Sequence, residues 1–223
     1  MKSRVNRNSR RKRLFLLFFA FCAMATGLFL FSNQLYTYTK GFFLTESYTP
    51  EPLTPPSAAA SSTKKEPGDD DPLYPVRPAV GDHIGDLYIP ALDATLPIYH
   101  GTDEDMLEKG VGHFAGSVLP GERDNSVLSG HRDTVFRKLG EVGEGDELIV
   151  TTFAGTFTYF VHKVRIVDKD DRTVIVPKPR ATLTVSTCYP FNFIGAAPDR
   201  YILEGYLVDQ ELTKDQPKQT VEN

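Results

Sequence analysis

Cysteine is nearly absent from this 223-residue chain. Two occur, Cys22 in an apolar run and Cys188 in the polar body. No disulfide framework can therefore hold the fold together. A basic excess is missing too, except in one place. Seven of the 25 Lys and Arg residues fall within the first 13 positions, which carry no acid. The rest of the chain holds 18 basic against 29 acidic side chains. Such a body lacks the positive surface that phosphate contacts need, which excludes nucleic acid as a partner. No internal repeat is present.

Charge is absent altogether from residues 14–31, LFLLFFAFCAMATGLFLF. As a helix this run is roughly 27 Å long, close to the bilayer core. Ala23 and Ala25 offer a small-residue cleavage pattern, but the apolar run continues to Phe31. An uncleaved anchor is the expectation, not a removed signal peptide. The basic cluster before it predicts a cytoplasmic N-terminus and an extracytoplasmic body. Segments 1–13 and 14–33 then read as the cytoplasmic basic stretch and the transmembrane anchor. Residues 34–73 read as an extracytoplasmic linker, since Pro, Ser, Ala and charge dominate 50–72 and supply no core. The acids Asp69–Asp71 belong to that solvated linker.

Residues 74–210 are expected to form the folded domain, with 211–223 a flexible polar tail. Short alternating segments predict strands near 85–89, 96–99, 126–129, 147–153, 156–167, 173–176, 182–187 and 201–208. Ala154-Gly155 reads as a hairpin turn, and Phe157, Tyr159 and Val161 as one inward face. Residues 103–109 predict a short helix with an acidic first turn, and 134–139 a second. The pattern implies an all-β domain, a closed antiparallel barrel or a sandwich.

The segment LTVSTCYPF, 183–191, raises the functional question. Leu183 and Val185 alternate with Thr184 and Ser186, and Cys188 stands where the strand reaches a turn. A lone thiol in an extracytoplasmic body suggests use as a nucleophile, which requires a nearby proton acceptor. Five histidines are available. His83 and His162 read as surface and strand residues. His100 and His113 lie in loops beside Gly101 and Gly112. His131 ends a strand in LSGHRDTVF, a setting that combines exposure with rigid support. All three of the latter stay open on residues alone. Arg200 begins the strand after the Cys188 turn, which predicts a position at the same end of the sheet. Its guanidinium suits an oxyanion, and an ion pair with Asp199 or Glu204 is the other reading.

Together SGHRDT, TVSTC and the following DRY resemble the sortase family, and YPVRP with CYPFNFIGAAPDRYI is similar to its class D members in Gram-positive spore-forming bacilli. The likeness runs through nearly all of residues 74–209. Val185 stands where leucine is usual. The resemblance implies a closed eight-stranded β-barrel with one or two short helices, preceded by a single transmembrane helix. It implies a membrane-anchored cysteine transpeptidase with Cys188 as nucleophile, His131 as general acid and base, and Arg200 at the oxyanion or substrate. Thr187 would touch substrate through its backbone or hydroxyl. The implied partners are secreted proteins with an LPxTG-like or LPNTA sorting signal and an amine on a lipid-linked peptidoglycan precursor.

No cofactor or metal is implied. The acids Asp103, Glu104, Asp105 and Glu108 read as a solvated helix face, not a calcium site. DPLY, 71–74, lacks the aromatic of a pilin-type lid and reads as linker, and no apolar tail follows the barrel; both favour anchoring over pilus building. Other classes fit less well. A papain-like wall endopeptidase places Cys before His, and an L,D-transpeptidase carries an S-x-G-C-x-R run that VSTCYPF does not match. A stalked surface binding module with an inert thiol is the non-enzymatic alternative.

Overall fold

The computed structural model describes residues 3–46, 48–50, 72–193 and 195–213. Two compact units divide near residue 40. In the first, helix α1 (Ser3–Glu46) carries the apolar run. Its segment Arg11–Ser32, with mean hydropathy 2.5, is long and apolar enough to cross a membrane. The helix continues past residue 33, where a linker was expected, because no proline occurs before residue 50. Most of the expected linker, 51–71, and the tail from 214 lie outside the described residues.

The second unit is built on eight strands: β1 (His83–Ile89), β2 (Ala94–His100), β3 (Val111–His113), β4 (Asn125–Ser129), β5 (Glu147–Thr152), β6 (Gly155–Asp168), β7 (Thr182–Tyr189) and β8 (Asp199–Leu212). They close in the order β1-β2-β3-β4-β7-β8-β6-β5. The expected inward face of β6 is observed, with Phe157, Tyr159 and Val161 fully buried. Closure removes the sheet edges, and Leu87, Leu96, Ile98, Leu148, Leu183 and Leu203 fill the centre. The hairpin β5–β6 turns at 153–154, and Gly155 starts β6 at φ 151°, a conformation that side chains rarely adopt.

Four expectations are corrected. The barrel is mixed: β2–β3 and β4–β7 pair in parallel. Val111–His113 is a strand; three residues carry too short an alternation to read, and burial between β2 and β4 forms it. Residues 173–176 are not a strand, although Thr173, Val174, Ile175 and Val176 are all β-branched. There the Asn125 side chain donates to the carbonyls of Val174 and Val176, taking the role of a neighbouring strand. Residues 134–139 are not a helix. Thr134 and Phe136 both donate backbone N–H to the His131 carbonyl, which makes successive turns, and only Leu139–Glu141 forms a 3-10 turn. The expected helix at 103–109 is present as α2 (Glu104–Leu107).

The barrel also reaches back to its N-terminal side. Tyr74 is buried, and its hydroxyl donates to the Pro120 carbonyl at 2.6 Å. Leu73 packs on the core. The Tyr48 hydroxyl donates to Asp86 Oδ1 at 2.6 Å, and His83 Nε2 lies 3.2 Å from the same oxygen.

Candidate functional site

Strand β7 lies between β4 and β8. It pairs in parallel with β4 through Ser129↔Ser186, so both chains leave the sheet at the same end. His131 follows β4 by two residues, and Cys188 follows Ser186 by two. On the other side, Cys188 pairs with Arg200 across the antiparallel β7–β8 ladder. Directly opposed residues project from the same face, with Cβ atoms about 5 Å apart. The topology therefore gathers Cys188, His131 and Arg200 at one barrel end.

The faces follow from the pleat. Leu183, Val185 and Thr187 point inward and are buried, so Thr184, Ser186 and Cys188 lie on the outer side. Cys188 is half-buried and carries a free thiol. Arg200 is half-buried, and its Nη1 donates to the carbonyls of Asp199 at 2.9 Å and Ala197 at 3.2 Å. The alternative pairing with Glu204 is occupied otherwise: Lys178 Nζ donates to Glu204 Oε2 at 2.7 Å and Arg165 Nη1 to Oε1 at 3.4 Å.

His131 sits in a sharp turn made possible by Gly130. A Cβ at Gly130 would meet the Phe136 ring at 2.6 Å, so only glycine lets the chain pass this buried aromatic. His131 Nε2 lies 3.2 Å from Glu104 Oε1, a carboxylate that sequence reading assigned to the solvated face of α2. Glu104 is largely exposed, so its hold on the ring is weak. Thr187, the weaker substrate-contact candidate, is buried, and its Oγ1 donates to the Gly130 carbonyl at 2.8 Å. Arg132 was not singled out in the sequence. It is buried, with Nη1 donating to the Pro190 carbonyl at 2.8 Å.

The remaining histidines are spent elsewhere. His113 is fully buried and lies 3.0 Å, Nδ1 to Nδ1, from His100. Its Nε2 lies 2.9 Å from the Val118 carbonyl, which requires Nε2–H. His113 Nδ1 is then an acceptor, and His100 donates Nδ1–H to it. Burial pushes His113 down to about 4, and His100 is lowered by burial too. His162 stacks on Tyr206 with ring centres 3.5 Å apart.

His100 also borders a cavity of about 450 Å³, lined with Arg77, Ser117, Leu119, Asn125 and Val176 among others. Asn125 begins β4, so the cavity lies at the opposite end of that strand from His131. Its wall at 175–177 belongs to the β6–β7 connection, which Lys178 fastens to Glu204.

A sortase-domain family model matches residues 87–208. Sortase D of Bacillus subtilis is 50% identical over 130 residues, which cover 58% of this chain and 66% of that protein. The chain thus matches just under two thirds of that relative's length. Among solved structures, a lid mutant of Sortase A from Corynebacterium diphtheriae has a TM-score of 0.54 at 35% identity, covering 59% of this chain and 73% of that one. A Sortase D5 transpeptidase from Clostridium perfringens has a TM-score of 0.53 at 29% identity, covering 57% and 80%. The family match spans more than half of the chain and contains Cys188, His131 and Arg200, and this chain belongs to the sortase family.

Proposed function

We propose that this protein is a membrane-anchored cysteine transpeptidase that acts on an LPxTG-like sorting signal, LPNTA included. The observation that carries the reading is the grouping of Cys188 between the ends of β4 and β8, with His131 on one side and Arg200 on the other. A thiol, a proton carrier and a fixed cation are the parts that acyl transfer needs.

In this reading the Cys188 thiol passes its proton to His131 and its sulfur attacks the carbonyl carbon of the signal's Thr. Arg200 donates to the oxyanion of the tetrahedral intermediate. The C–N bond to the next residue breaks, and His131 gives a proton to the departing amine. A thioester remains on Cys188. An amine of a lipid-linked peptidoglycan precursor then attacks that thioester. His131 takes a proton from it, and the thiol is restored as the new amide forms. No cofactor enters any step.

The apolar helix supports an anchor at 14–33 with the basic residues 1–13 cytoplasmic and the catalytic domain, 74–210, outside. Both substrates of such a reaction are delivered at the membrane.

The test uses the full chain in detergent with internally quenched LPNTA and LPxTG peptides, with and without an added amine. An amine-linked product, detected by mass spectrometry and absent with Cys188→Ala, is the expected result. Free acid alone with amine in excess would replace the transpeptidase by a cysteine hydrolase. Cleavage that survives Cys188→Ala would remove the thiol from the mechanism.

A further inference from the structure

We infer that Arg132 is a positioning residue that holds His131 and Cys188 at their working separation by tying the turn after β4 to the turn after β7. The inference rests on the reading that these two residues act together on one carbonyl.

The need for such a tie comes from the topology. The β4–β7 ladder ends at Ser129↔Ser186, with one further bond from Gly130 N–H to the Ser186 carbonyl at 3.2 Å. Beyond it the chains diverge. β4 enters successive turns, while β7 continues along β8 to Tyr189 and then turns. His131 and Cys188 both lie past the last ladder bond. Regular backbone pairing therefore leaves their spacing open.

Two side-chain bonds bridge the gap. Thr187 Oγ1 reaches the Gly130 carbonyl, joining the residue before Cys188 to the residue before His131. Arg132 Nη1 reaches the Pro190 carbonyl at 2.8 Å, joining the residue after His131 to the turn two residues past Cys188. The pair of bonds brackets both reactive side chains. The Arg132 side chain is 5% exposed, and its other edge forks onto Asp133, Nε to Oδ1 at 3.1 Å and Nη2 to Oδ2 at 3.2 Å.

The guanidinium suits this place. A buried cation is costly unless it is paired and hydrogen-bonded. Its planar fork holds a carboxylate on one edge and a carbonyl on another, in fixed relation. A lysine keeps the charge but offers no such plane. The far turn is also braced, since Phe191 packs edge-on against Tyr189 at 5.8 Å and against Tyr201 at 5.2 Å between ring centres. The Arg132 bond thus ties His131 to a turn that is already fixed on the core.

The test compares wild type, Arg132→Lys and His131→Ala, as full chains in detergent with Cys22→Ser so that one thiol remains. Two quantities are read: the rate of Cys188 alkylation by iodoacetamide across pH 5–9, and kcat and KM on the quenched peptides. The alkylation curve of Arg132→Lys is expected to move toward that of His131→Ala. Its kcat should fall roughly ten- to a hundredfold, as misplacement by about 1 Å does, with KM nearly unchanged. A purely structural role would lower thermal stability and leave both readouts at wild-type values, which overturns the proposal. A His131→Ala curve that overlays wild type overturns it too, because the separation then has no chemical consequence. Should Arg132→Lys fail to fold, Asp133→Asn takes its place: that side chain is 60% exposed, and its loss frees one edge of the fork. The same direction of change is expected, and an unchanged curve refutes the idea. If wild type processes no peptide, the sorting reading fails while the alkylation curves still decide the role of Arg132.

Discussion

Cys188 and Arg200 stand directly opposite each other on β7 and β8. Neither depends on a loop for its placement. The ladder that pairs them continues through eight register positions, from Thr182↔Tyr206 to Tyr189↔Asp199. A cation fixed to the strand next to the proposed nucleophile costs no reorganisation when negative charge develops.

Arg200→Ala is therefore expected to lower kcat/KM on a cleaved signal peptide by roughly 10²–10³, the usual cost of one oxyanion donor. Arg200→Lys should recover part of this. The side chain is half-buried and bonds only its own turn, so the melting temperature should stay near wild type. Steady-state kinetics with parallel thermal melts check both.

His131 and Glu104 should separate cleanly. His131→Ala removes the proposed proton carrier and is expected to cost about 10²–10⁴ in kcat. Glu104→Gln removes an exposed partner at 3.2 Å, and pairs of that kind contribute at most about 1 kcal/mol. Its kcat should change by less than about fivefold at moderate salt. A large loss with Glu104→Gln would show that the carboxylate orients the ring.

Acid should weaken the fold through His113. Burial holds its folded-state value at about 4, below the ordinary histidine range. The unfolded chain then binds a proton that the folded chain refuses. Stability is full above about pH 6.5 and falls as pH drops toward 4, by roughly 3 kcal/mol from this group. Half-buried His100, lowered in the same direction, adds to the trend. Denaturant melts of wild type and His113→Gln between pH 7.5 and 4.5 should show a smaller acid loss in the variant.

Glu204→Gln should destabilise the barrel by about 3 kcal/mol, because it leaves the Lys178 and Arg165 charges without their buried carboxylate. Burial alone would raise the Glu204 value, but the hydrogen bond and charge of Lys178, with Arg165, outweigh it and leave it lowered. This contribution is present above the ordinary glutamate range and is lost as pH falls below it. Urea melts of wild type and variant at neutral pH, and again below pH 4, check the effect and its loss in acid.

Much of this protein was legible locally. An uncharged run of 18 residues reads as a helix long and apolar enough to cross a membrane, and α1 carries it. Alternation in β6 and β7 assigned inner and outer faces, and the turn after Cys188 marked the thiol as accessible. Those readings rest on interactions between near neighbours in the chain, which sequence displays directly.

Tertiary structure decided the rest. Parallel pairing of β4 and β7 brings the Gly130–His131 turn to Thr187–Cys188, and the Thr187–Gly130 bond spans 57 positions. Nothing in either segment announces its partner. β3 exists because β2 and β4 enclose it, and residues 173–176 are no strand because Asn125 occupies their carbonyls. His100 and His113 look like His131 in sequence, yet their fate follows from mutual burial. Thr187 and Arg132 bond backbone carbonyls that only the folded chain brings within reach. The division has one physical cause: residue type and spacing govern a strand's faces and a helix's length, while the choice of partner depends on closing the barrel as a whole.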